Sequence, residues 1–92
     1  MSKLIKVDGT EQDVLPQNGT EYTFDELKKF VDGYIEIVKL TDGCVMVVNE
    51  NGAFTKKPNN WATITAHVYN AIRPNEIIFG DALLSHSSEV KQ

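Results

Sequence analysis

Five successive apolar residues, Cys44-Val45-Met46-Val47-Val48, constrain this chain more than any other feature. A half-buried strand alternates apolar and polar residues, because successive side chains leave opposite faces of the sheet. This run does not alternate, so it predicts a central strand covered on both faces. It is preceded by Tyr34 to Leu40, a segment rich in strand formers, and by the turn signal Thr41-Asp42-Gly43. It is followed by Asn49-Glu50-Asn51-Gly52, whose Asn-Gly pair is typical of a type I′ hairpin, so Ala53-Phe54-Thr55 is expected to pair back. The three segments predict a meander at the core of a sheet.

Other elements can be placed around it. Leu4, Ile5 and Val7, the Asp8-Gly9 turn, and Glu11 to Leu15 predict a hairpin that Pro16 ends. Thr23-Phe24-Asp25-Glu26 fits a capping box, with Tyr22 and Leu27 at the two staple positions. Leu27, Phe30 and Val31 then recur at helical spacing, and Gly33 has the conformational freedom to close a helix over about residues 24–32. Asn60 is expected to cap a second helix over Trp61 to Ile72, with Trp61, Ile64, Val68 and Ile72 as its apolar stripe and Pro74 as its stop. Glu76 to Leu84 predicts a last strand with Gly80 at a bulge. Ser85 to Gln92 is mostly polar and is expected to fray.

The expected fold class is therefore α+β: an antiparallel sheet of about five strands with two helices packed mainly on one face. At 92 residues there is room for one domain, placed at 1–85, with 86–92 as a polar tail. A chain this short buries a modest fraction of its surface, and a homo-oligomer is a natural way to add stability.

Composition narrows the function. The net charge is −4, and Arg73 is the single arginine. Electrostatic nucleic-acid binding rests on clustered Lys and Arg, so nucleic acid is not an expected partner. One cysteine, Cys44, allows no internal disulfide. No apolar run reaches signal-peptide or membrane-spanning length, and the expected location is the cytoplasm, away from membranes. His67 and His86 have no ligand-forming neighbours at metal spacing. No phosphate loop, nucleophile triad or tuned carboxylate pair is present, so neither a cofactor nor catalysis is expected.

Several segments together resemble a known family. Gly33-Tyr34-Ile35-Glu36-Ile37-Val38, Asp42-Gly43, Met46 to Gly52, Asn59-Asn60-Trp61-Ala62-Thr63 and Ile78-Phe79-Gly80-Asp81-Ala82-Leu83 are similar to motifs of the DUF3846 family, a domain of unknown function. The resemblance covers roughly residues 3–85. It implies no activity or catalytic set. It implies a setting in bacteria, their phages and mobile elements, and hence a host-directed binding role such as neutralising a defence protein.

Two polar clusters are the candidate sites. Asn49 and Glu50 belong to a turn sequence and could also project toward a ligand. Lys56, Lys57, Asn59 and Asn60 precede a helix whose first N–H groups could hold a phosphate, with Trp61 or Phe54 stacking a base. The same residues also serve as a solvated connection and a helix cap. Asp81 is polar within an apolar segment and is a further candidate. The leading expectation is a non-enzymatic protein that occupies a host protein's surface; the alternative is a sponge for a nucleotide or other small-molecule signal.

Overall fold

The structure, a computed structural model, describes residues 2–90. Its first elements follow the local signals. β1 (Ser2–Ile5) and β2 (Glu11–Val14) pair antiparallel across the Asp8-Gly9 turn. α1 (Phe24–Val31) starts on the capping box: the Thr23 hydroxyl accepts the Glu26 N–H at 3.1 Å, and the Glu26 carboxylate accepts the Thr23 N–H at 2.8 Å. Those two bonds satisfy donors that a helix start otherwise leaves open. The left-handed residue that closes α1 is Asp32, at φ 56°, one position before the expected Gly33, whose N–H returns to the Lys28 carbonyl at 3.1 Å.

β3 (Ile35–Thr41) and β4 (Cys44–Asn49) form the expected antiparallel pair, with a bulge between Lys39 and Thr41. After β4 the chain departs from expectation. Asn51-Gly52 does not turn a hairpin; Gly52–Thr55 forms a single helical turn, α2. α3 (Asn60–Val68) is capped by Asn59 rather than Asn60. It ends four residues short of Ile72, because Asn70 adopts a left-handed φ of 53°. The Asn70 N–H then bonds the His67 carbonyl and the Ala71 N–H the Ala66 carbonyl, a Schellman closure that stops the helix before Pro74 is reached.

The last strand, β5 (Ala82–His86), begins later than expected. Phe79 makes only an isolated bridge to Pro58, and Gly80 turns the chain at φ 85°. β5 enters the middle of the sheet, whose order is β2-β1-β5-β4-β3 and whose pairings are all antiparallel. The segment after Ser85 is packed rather than frayed. Ser87–Glu89 makes a 3-10 turn, Val90 is buried, and Glu89 accepts hydrogen bonds from the Ser2 and Ser85 hydroxyls at 3.0 and 3.1 Å. Lys91 and Gln92 lie outside the described residues.

The apolar run of β4 is buried on both faces, as its lack of alternation implied. Val45 and Val47 join Leu83, Tyr22, Leu27 and Val31 in one core. Met46 and Val48 join Ile5, Ala82, Ala62, Ala66 and Ile78 in the other. Successive strand residues face opposite ways, so α1 and α3 cover opposite faces of the sheet, not mainly one. A strand apolar on both sides needs a lid on each.

Candidate functional site

Asn59 is the most constrained polar residue of the connection. It is fully buried, and its Nδ2 donates to the carbonyls of Ile5 and Gly80, both at 2.9 Å. Its Oδ1 accepts the Ala62 N–H at 3.0 Å as the α3 cap. All three bonds are internal, so Asn59 ties α3 to β1 and the β5 approach and has nothing left for a ligand. Asn60 is exposed on the first turn of α3.

Lys56, Lys57 and Asp81 come together in a hollow of about 300 Å³ that also reaches Asp32 and Gly80. Lys56 Nζ lies 2.5 Å from Asp32 Oδ2, a contact that holds the Asp32 carboxyl below its ordinary range. Asp81 Oδ1 accepts the Val7 N–H at 3.0 Å. The hollow thus sets two lysines against two carboxylates, and its charge is close to balanced. Trp61 does not enter it, but lines a separate hollow with Gly9 and Glu11.

Asn49 and Glu50 part company. Asn49 is buried; its Nδ2 donates to the carbonyls of Val31 and Asp32 at 3.0 and 3.1 Å, and its Oδ1 accepts the Asn51 N–H at 2.7 Å. It clamps the end of α1 onto the end of β4. Glu50 is exposed, and stands with Glu36 and Glu76 on a groove of about 540 Å³ between β3, β4 and the 71–79 segment.

The largest departure from sequence expectation lies on α3. The face against the sheet is Ala62 and Ala66, both fully buried, whereas Trp61, Ile64 and Val68 point outward at 57, 51 and 73% exposure. Small residues let the helix axis sit close to the sheet, and the large ones are left over. The three span about 10 Å of helix at 1.5 Å per residue. Contiguous exposed apolar side chains of this kind mark interaction surfaces more often than lone ones do. Beside Trp61 lie Glu11 and the turn of Asp8, whose carboxylate accepts the Thr10 hydroxyl at 2.6 Å and is held below its ordinary range by that bond.

One pairing was not legible in sequence: Cys44 and His86 are direct cross-strand partners and line a hollow of about 230 Å³. No hydrogen bond joins thiol to imidazole among the described contacts. No helix among the described residues is long and apolar enough to cross a membrane.

A five-stranded antiparallel sheet faced by one helix on each side, with Asn49 and Asn59 spent on internal bonds and an outward apolar helix face, defines a small two-sided α+β domain. Its sequence matches the DUF3846 model, a domain of unknown function, across residues 3–91, and the chain belongs to that family. No curated protein and no solved structure matches it.

Proposed function

We propose that this protein is a binding module that acts by occupying the surface of another protein, with the outer face of α3 as its contact. The observation that carries the reading is the outward placement of Trp61, Ile64 and Val68 on a helix already seated by Ala62 and Ala66. Trp is the residue type most enriched among side chains that dominate binding energy. The net charge of −4 favours a partner surface with an apolar cleft and a basic rim. A host protein, met in a phage or mobile-element setting, is the partner class.

The nucleotide-sponge reading has less support. Its lysines share their hollow with Asp32 and Asp81, and phosphate binding calls for an excess of positive charge. Recovery of partners from a lysate of the source cells, with wild type and with a Trp61→Ser, Ile64→Ser, Val68→Ser variant, tests the first reading. A protein retained by wild type and lost by the variant supports it; equal recovery by both contradicts it. A rise in thermal stability with nucleotides that is lost in Lys57→Ala would restore the sponge.

A further inference from the structure

The outer edge of β3 offers a second surface, which shares no lining residue with the α3 face. β3 ends the sheet order, so one row of its backbone groups has no partner strand. The bond from the Glu50 N–H to the Tyr34 carbonyl, at 2.9 Å, fixes which row this is. Hydrogen-bonded pairs alternate along an antiparallel ladder. With Ile35 opposite Asn49 and Ile37 opposite Val47, the backbone groups of Ile35, Ile37 and Lys39 turn away from β4. The other edge of the sheet is better protected. β2 is short and polar, and its Glu11 and Asp13 both hold Lys3. On β3 the bulge comes only after Lys39, leaving the row before it unbroken.

The groove of about 540 Å³ lies between β3, β4 and the 71–79 segment and reaches this open row at Ile37 and Lys39. Val38, Val48 and Ile78 belong to the α3-side core and give it an apolar floor. Ile37 and Lys39 line it too, although their side chains leave by the opposite face, so the groove opens onto the main chain at these two residues. Glu36 and Glu50 stand beside it, and neither has a cationic partner among the described residues. The lysine that reaches the groove, Lys39, is drawn to Asp42 at 3.5 Å.

We infer that this groove takes an extended, lysine- or arginine-bearing segment of a partner protein, which adds to β3 as a sixth strand. Main-chain bonds to Ile35, Ile37 and Lys39 supply affinity, and alternate side chains meet the apolar floor and the two carboxylates. A second copy of this chain fits less well. Two-fold pairing of β3 with itself about Val38 sets each Glu36 opposite an apolar Leu40 and brings together two chains of net charge −4.

Selection of short linear peptides from a display library against the full chain tests this. The enriched peptides are expected to alternate apolar residues with Lys or Arg. On binding, amide exchange at Ile35, Ile37 and Lys39 should slow by about tenfold or more. Two variants should each weaken binding by about tenfold or more: Glu36→Lys with Glu50→Lys, which replaces two attractive carboxylates by repulsive charges, and Ile37→Pro, which removes an N–H that the native ladder does not use. Trp61→Ser should leave this binding unchanged. Should Ile37→Pro fail to fold, the charge-reversed variant and the exchange pattern decide. Selection without a basic pattern, protection elsewhere, or full affinity in the charge-reversed variant would overturn the inference. So would a concentration-dependent dimer lost in Ile37→Pro, which would give the edge to a second copy.

Discussion

Asn59 Nδ2 donates to the Ile5 carbonyl at 2.9 Å, joining residues 54 apart in sequence. The same amide group bonds the Gly80 carbonyl and caps α3, so one side chain holds the helix, the first strand and the entry to the last. Asn59→Ala leaves two buried carbonyls and a helix N–H unsatisfied. The expected loss is about 3 kcal/mol, from roughly 1 kcal/mol or more per stranded group. Urea unfolding measures it. A loss within about 0.5 kcal/mol, the range of an ordinary surface change, would show that these bonds do not hold the fold.

Gly33 and Asn49 form a coupled pair. A Cβ on Gly33 would lie 2.7 Å from Asn49 Nδ2, and Gly33 sits at φ 152°. Gly33→Ala should therefore destabilise through both the contact and the backbone. In an Asn49→Ala background the contact is gone and the backbone contribution remains. A double-mutant cycle should give a coupling of about 1 kcal/mol, with Gly33→Ala milder in the second background. Strict additivity would mean that Asn49 moves aside freely.

The two faces of α3 should respond oppositely to substitution. Ala66 is fully buried against the sheet, so Ala66→Leu should cost about 1–3 kcal/mol by overpacking. Ile64→Ser, on the outward face, should change stability by no more than about 0.5 kcal/mol. Thermal unfolding of the two proteins separates the cases. A larger cost for Ile64→Ser would mean that the sequence stripe, not the alanine face, is the packed one.

Acid should weaken the fold through carboxylates held below their ordinary range. Asp32 is depressed chiefly by its hydrogen bond and ion pair with Lys56, from an ordinary value of 3.8. Because the folded state binds this proton less readily than the unfolded one, the contribution is fully present above the ordinary value. It is lost as pH falls through the depressed one. Lys56→Met should lower the urea midpoint slightly above that range, and the difference should vanish in acid and shrink in high salt. A difference that grows in acid would contradict the pairing. Glu26, depressed by the Thr23 N–H of the capping box, should behave in the same sense in Glu26→Ala.

What could be read in the sequence was what local chemistry decides. The capping box at Thr23 placed α1 within a residue, and the unalternating Cys44–Val48 run placed β4 between two cores. What could not be read depended on neighbours distant in sequence. Asn51-Gly52 signals a hairpin because glycine tolerates positive φ, but Gly52 is helical; it stands where a Cβ would lie 2.7 Å from the Phe79 carbonyl oxygen. α3 carries both bulky and small apolar residues, so spacing alone picked out the bulky stripe, while the sheet accepted the alanines. Of the candidate site residues, Asn49 and Asn59 proved to be structural clamps, and Lys56 was matched by Asp32. Glu50 and Trp61 remain on open surfaces, joined by Glu36, Ile64 and Val68.

Photocrosslinking from the α3 face tests the central claim most directly. A photoreactive phenylalanine analogue is placed at Ile64, and at Lys29 on the exposed side of α1 as a control, in protein exposed to a lysate of its source cells. The expected result is one protein crosslinked from position 64 and not from 29. Its purified form should bind wild type about thirtyfold or more tightly than Trp61→Ala, the scale of an interfacial hot spot. Equal crosslinking from both positions, or unchanged affinity for Trp61→Ala, would contradict the assignment of α3 as the docking face.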